Sequence, residues 1–131
     1  MRYMLDTDWV INVLNGKQPF AEKIKELRED GLTISMISIA EIYEGIFGSN
    51  VQEKHETDFK NFLTGVIVLE ITEDVCKKFG EIRNLLRGRG QLIGDFDLLI
   101  ASSALVNHLV LLTDNVKHYE RVKGLKIKTV D

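Results

Sequence analysis

The chain has one cysteine, one proline and no apolar run near the roughly 20 residues that span a bilayer. Cys76 alone can neither close an internal disulfide nor build a cysteine metal cluster, so a stapled secreted scaffold and a thiolate metal site are both excluded. The first residues carry no basic segment, long apolar core and small-residue cleavage site, and the expected location is cytoplasmic. The three histidines, His55, His108 and His118, stand apart with no metal-ligand spacing between them. No serine or threonine sits in a nucleophile elbow, and no glycine-rich loop is present to cradle phosphate. Carboxylate oxygen is what remains for chemistry.

What is present is the composition of a folded globular protein: 131 residues, 44% hydrophobic and 28% charged. One domain, residues 1–131, is expected at this length. The net charge of −3 is unevenly spread. Residues 1–76 hold 14 acids against 7 bases, whereas residues 77–131 hold 6 acids against 10 bases. A basic half can be plain solvated surface, or it can track a phosphate backbone.

Short apolar or β-branched runs of strand length lie at 3–5, 32–36, 66–69, 109–112 and 127–130. Helical spacing lies between them: Ile39, Ile42, Tyr43, Ile46 and Phe47; then Phe59, Phe62 and Leu63; then Phe79, Ile82, Leu85 and Leu86. Leu98 to Leu105 is apolar nearly all round, which predicts a buried helix. Strands alternating with helices predict an α/β fold with a mostly parallel central sheet flanked by helices on both faces. In such a sheet ligands bind beyond the carboxyl ends of the strands, so the informative acids are those that come after strands. Asp6 ends the first run, Glu41 falls in the first turn of the helix after the second, Asp95 and Asp97 open the buried helix, and Asp114 comes just after the fourth run.

Each acid also has a local structural reading. Asp8 can cap the first helix, Ser38-Ile39-Ala40-Glu41 reads as a capping box, Asp95 as an N-cap with Asp97 favoured by the helix dipole, and Asp114 as a turn initiator. Together these readings weaken, because a parallel fold gathers the acids on one edge, where unpaired carboxylates repel. A cation resolves that repulsion. Oxygen-only donors suit Mg²⁺ or Mn²⁺, and the matching reaction is metal-assisted hydrolysis of a phosphodiester.

Leu5-Asp6-Thr7-Asp8, Ser38-Ile39-Ala40-Glu41-Ile42-Tyr43-Glu44-Gly45, Ile93-Gly94-Asp95-Phe96-Asp97-Leu98-Leu99-Ile100-Ala101 and Leu112-Thr113-Asp114-Asn115 resemble, in this order, the motifs of the PIN-domain ribonucleases, specifically the VapC-type toxins. The resemblance spans nearly the whole chain. It implies Mg²⁺- or Mn²⁺-dependent RNA cleavage, a homodimer and inhibition by a small VapB-type antitoxin. Carried over by position, Asp6, Glu41 and Asp97 match the three principal metal-binding acids, with Asp114 as the fourth and Asn115 able to share or exchange that role. Two departures stand out: Asp8 replaces the usual Asn, and Asp95 is an extra acid. Both are assigned secondary roles, as are the hydroxyls of Thr7, Ser38 and Thr113. Arg83, Arg87, Arg89, Lys117 and Arg121 are candidates for phosphate contacts, with solvated surface as the alternative. Tyr43 and Phe47 are candidates for a homodimer or antitoxin face, with intramolecular core as the alternative.

Two rival readings stay open. Asp6-Thr7-Asp8-Trp9-Val10 also fits the Asp-x-Asp-x-Val start of haloacid-dehalogenase-like phosphatases, with Asp6 as nucleophile and Asp8 as acid/base. A module that binds RNA or a partner without cleaving is the other.

Overall fold

The computed structural model describes residues 2–131. Five short strands, β1 (Tyr3–Leu5), β2 (Leu32–Ser35), β3 (Ile67–Leu69), β4 (Val110–Leu112) and β5 (Ile127–Lys128), pair in parallel throughout, in the order β3-β2-β1-β4-β5. The chain walks outward from β1 to β2 and β3, then returns past β1 to lay down β4 and β5 on its other side. The reversal falls between β1 and β4, the point at which open α/β sheets form a crevice at the strands' carboxyl ends.

Among the described residues seven α-helices cover the sheet: α1 (Thr7–Leu14), α2 (Phe20–Leu27), α3 (Met36–Phe47), α4 (Gln52–Phe62), α5 (Glu73–Gly88), α6 (Asp95–Val106) and α7 (Val116–Tyr119). Strand residues alternate between two cores, as period-2 geometry requires. Tyr3, Leu5, Ile34 and Leu112 pack with Trp9, Phe20, Ile42, Ile46 and Phe59 from α1 to α4. Met4 and Leu111 pack on the opposite face with Ile82, Leu86, Leu98, Ile100, Ala101 and Tyr119 from α5 to α7. Trp9 is fully buried edge-on to Phe20, with ring centroids 5.5 Å apart; a side chain of that size is the anchor that fixes α1 against the sheet.

The expected strands and the buried helix are all present, with boundaries shifted by one or two residues. Among the described residues, no helix is long and apolar enough to cross a membrane. Three local expectations are corrected. The α3 helix begins at Met36 because Ser35, not Ser38, is its cap: Ser35 Oγ accepts from the Ile37 amide at 3.1 Å. Glu41 therefore lies in the second turn of α3, and no capping box forms. The α1 cap is Asp6 rather than Asp8, and the α6 cap position is held by Gly94 rather than Asp95.

Candidate metal centre

The site is built at the reversal between β1 and β4. The Asp6 amide donates to the Leu112 carbonyl at 3.0 Å, which continues the β1–β4 ladder by one bond and sets Asp6 beside Thr113. The backbone then turns into α1, and the Asp6 carboxylate folds under the chain. Its Oδ1 accepts from the Thr7 amide at 2.9 Å and the Tyr119 hydroxyl at 3.2 Å; its Oδ2 accepts from the Thr113 hydroxyl at 2.7 Å. Asp6 is only 3% exposed. Burial pushes its pKa up to about 6; the Thr113 hydrogen bond pulls the other way, and repulsion from Asp8 and Asp97 adds to the rise.

Glu41 reaches the same place from α3. Thr7 Oγ1 lies 2.6 Å from Glu41 Oε1 and 2.9 Å from Ser38 Oγ, so the Thr7 hydroxyl donates to the carboxylate and is itself held by Ser38. Burial raises the Glu41 pKa against the Thr7 hydrogen bond, with repulsion from Asp97, Asp8 and Glu44 adding to it. Asp97, the third residue of α6, completes the set. Its Oδ1 lies 3.4 Å from the Tyr119 hydroxyl, and its Oδ2 lies 3.7 Å from His118 Nδ1.

The assigned secondary acids behave differently from each other. Asp8 points into the same field: burial raises its pKa, and Asp97 and Asp114 raise it further. Asp95 instead ties itself to Arg83, with Nε 2.9 Å from Oδ1 on an open surface. Asp114 is exposed, and its Oδ1 accepts from the Trp9 indole at 3.3 Å and the Val130 amide at 2.9 Å. Asn115 sets its amide on Thr113 Oγ1 at 3.0 Å and its side chain 3.2 Å from His118 Nδ1.

Three residues outside the sequence assignments therefore stand against the acids: Tyr119, which bridges Asp6 and Asp97; His118, which faces Asp97; and Trp9, which braces Asp114. Tyr119 and Trp9 are not visible as site residues in the sequence, because a lone aromatic reads as core, and both are core as well.

The donor set fits a hard divalent cation. The side chains at the crevice offer carboxylate and hydroxyl oxygens, and the burial and neighbouring negative charge that raise the pKa of Asp6, Asp8 and Glu41 are a penalty that a cation would remove. Among the described residues, no three His, Cys, Asp or Glu side chains stand as a group able to hold an ion. The carboxylates line the crevice without converging on one point, and hydrogen bonds from Thr7, Thr113 and Tyr119 occupy part of their coordination capacity.

Of the basic residues, Arg89, Lys117 and Arg121 line one shallow surface hollow together with Lys123. Arg83 is engaged by Asp95, and Arg87 donates to Asn84 Oδ1 at 3.3 Å. Tyr43 stacks on Phe47, with centroids 6.1 Å apart, and meets Phe59 edge-on; Phe47 itself is 66% exposed.

A parallel α/β domain with one buried acid and several partly exposed ones at its strand reversal defines the class of open-sheet α/β proteins that place their site at the strands' carboxyl ends. The chain matches the PIN domain over residues 3–125 and belongs to the PIN-domain family, within it to the VapC ribonucleases. It is 37% identical over 128 residues to ribonuclease VapC1 of Haemophilus influenzae (strain R2866), covering 96% of each chain. Its fold superimposes on the crystal structure of VapBC2 from Rickettsia felis bound to a DNA fragment from their promoter, with a TM-score of 0.94, 28% identity and full coverage of both chains. It also matches VapBC-1 from nontypeable Haemophilus influenzae, with a TM-score of 0.87, 34% identity and 98% coverage of each. The phosphatase and non-catalytic readings gain no support from these relatives. The first also asks a carboxylate that is 3% exposed and hydrogen-bonded on both oxygens to act as a nucleophile.

Proposed function

We propose that the chain is a Mg²⁺- or Mn²⁺-dependent endoribonuclease that hydrolyses RNA phosphodiester bonds, and that it is the toxin of a toxin–antitoxin pair. The observation that carries this reading is that Asp6, just beyond β1, Glu41 on α3 and Asp97 on α6 line one crevice at the strand reversal of a chain 37% identical to a ribonuclease.

Asp6, Glu41 and Asp97 would hold the cation, with Asp114 as the fourth ligand or sharing that place with Asn115. When bound, the ion supplies Lewis-acid activation of water and neutralises charge on the phosphodiester. The chain supplies the rest. The Thr7 amide, Thr113 and Tyr119 fix the rotamer of Asp6, and Thr7 fixes Glu41. Glu41, only partly buried and with its pKa raised, is suited to accept a proton from the attacking water. Asp8 adds negative charge at the mouth of the crevice, while Asp95 is spent on Arg83. Arg89, Lys117 and Arg121 line the hollow suited to an RNA backbone, a sequence-independent contact that weakens with salt.

The partner reading rests on a groove of about 200 Å³ between α1, α3 and α4, lined by Ile11, Leu14, Ile42 and Ile46 and reaching Glu41. An amphipathic segment of a small VapB-type antitoxin laid there would cover the exposed Ile11 and abut the acids. A second copy of the chain is the other partner the family implies.

Purified protein incubated with RNA should cleave it with Mg²⁺ or Mn²⁺ and stop on chelation, and Asp97→Asn should lower the rate at least about 100-fold, beyond the 10- to 100-fold typical of residues that only orient ligands. Full activity in Asp97→Asn, or cleavage indifferent to chelator, would overturn the reading. Growth arrest on expression, relieved by the product of a small neighbouring reading frame, tests the toxin role.

A further inference from the structure

Tyr119 is the one side chain whose hydroxyl contacts two of the acids among the described residues, and its placement is unusual for a residue of the core. It is 1% exposed in the apolar cluster beneath α6, yet its hydroxyl emerges between two carboxylates, 3.2 Å from Asp6 Oδ1 and 3.4 Å from Asp97 Oδ1. We infer that Tyr119 is a positioning residue for the metal centre, its single phenolic proton bridging Asp6 and Asp97 and holding the second acid toward the first. This rests on the proposed metal-dependent function and adds a determinant of cation affinity to it.

The physical case begins with the inequality of the two acids. Asp6 is locked by the Thr7 amide and the Thr113 hydroxyl, so losing one more donor leaves its rotamer in place. Asp97 has no such brace. Its side chain is 29% exposed, its other oxygen faces only His118 Nδ1 at 3.7 Å, and Asp6, Asp8 and Glu41 all repel it. Without a donor on the inner side, a carboxylate in that field rotates outward to water, where its charge is better solvated. The Tyr119 hydroxyl is the group that opposes this rotation.

A hydroxyl in this position does for the metal-free acids a small part of what a cation would do: its polarised hydrogen faces two carboxylates at once. The acids then meet an arriving ion close to their working positions, and less ordering remains to be supplied on binding.

The test is Tyr119→Phe, which keeps the ring and its packing and removes only the hydroxyl. Mn²⁺ binding, measured by calorimetry and by the spin-resonance signal of the free ion, should weaken about tenfold, the scale of one hydrogen bond to a charged group. RNA cleavage should fall at limiting metal and recover when metal is raised, a split that a general packing defect would not give. Tyr43→Phe is the control: that hydroxyl also donates to a carboxylate, Glu56 Oε2 at 2.9 Å, away from the crevice, and its loss should leave Mn²⁺ affinity unchanged. If Tyr119→Phe does not fold, the native protein still decides. Addition of Mg²⁺ should perturb the ultraviolet absorption of tyrosine, because the ion and the phenol share two carboxylates. Unchanged Mn²⁺ affinity in a folded Tyr119→Phe variant, or a native spectrum blind to Mg²⁺ at concentrations that bind, would overturn the inference. Native protein that binds no Mn²⁺ at all would instead overturn the metal-dependent function beneath it.

Discussion

β1 and β4 lie side by side and each delivers an aspartate from its carboxyl end, Asp6 from one and Asp114 from the other. In sequence the two are the same signal, an apolar run ending in acid. In the fold they are opposites. Asp6 is buried, hydrogen-bonded on both oxygens and pushed up to about 6, whereas Asp114 is exposed and spends Oδ1 on bracing Trp9 and the Val130 amide. The difference comes from the path of the chain beyond each strand. After β1 the chain turns directly into α1, and the side chain is trapped at its start; after β4 the residue between strand and acid is Thr113, so Asp114 lies one position further out on the rim. Position relative to the strand end, not residue type, decides which acid carries stored electrostatic cost.

That contrast breaks first under Asp6→Asn. In the unfolded chain Asp6 titrates near its ordinary 3.8 and in the folded chain near about 6, so the folded state binds its proton more tightly. The stability this proton contributes is present below about pH 4 and is lost as pH climbs through 6. At neutral pH the cost is roughly 3 kcal/mol by the conversion of a pKa difference to free energy. Thermal melts of metal-free protein should therefore show falling stability from pH 4 to 6.5, and Asp6→Asn should flatten that fall and melt higher than the native chain at pH 7 while losing RNA cleavage. A destabilised Asp6→Asn variant at pH 7 would show that the acid is retained for its hydrogen bonds and not at electrostatic cost.

Thr113→Val comes next in size. It removes the 2.7 Å donor to Asp6 Oδ2 with little change in volume, and also the acceptor of the Asn115 amide. Cleavage should fall about 10- to 100-fold, the usual effect of losing a group that orients a ligand, and the Asp6 pKa should rise further, read as an upward shift in the acid limb of the pH–rate profile. Activity within twofold of native would mean that the Thr7 amide and Tyr119 hold Asp6 by themselves.

The two strand ends also mark the boundary of what is legible in the sequence. The apolar runs at 3–5, 32–36 and 109–112 locate strands β1, β2 and β4, because parallel strands buried on both faces read as continuous apolar segments. Alternation of strand and helix then defines the fold class. The α2 helix is not among the expected elements, nor is α7, a single turn too short to show a period. The start of α3 moves to Met36 because Ser35 and Ser38 are equally good caps on paper, and only the length of β2 chooses between them. Which side chains meet is legible only through strand order, since Asp6 and Thr113 are 107 residues apart and become neighbours because β4 returns to the flank of β1. Tyr119 is illegible for a different reason. Its ring belongs to the core and only its oxygen belongs to the site, and the four residues of α7 are too few for spacing to record either.

The smallest predicted effect falls on Asp114, and it is the one that sharpens the comparison most. Asn at this position retains an oxygen that can accept from Trp9 Nε1 and the Val130 amide, so the bracing of α1 and of the C-terminal segment survives. Stability should stay within about 0.5 kcal/mol, as for surface substitutions that break no special feature. What Asp114→Asn removes is charge alone, on a rim where solvent already screens it. If Asp114 donates its second oxygen to the cation, cleavage at limiting Mg²⁺ should drop within about tenfold and recover at high Mg²⁺, whereas Asp6→Asn should not recover at any concentration. A loss as complete as that of Asp6→Asn would erase the distinction between the two strand ends, because the rim acid would then hold the ion as firmly as the buried one.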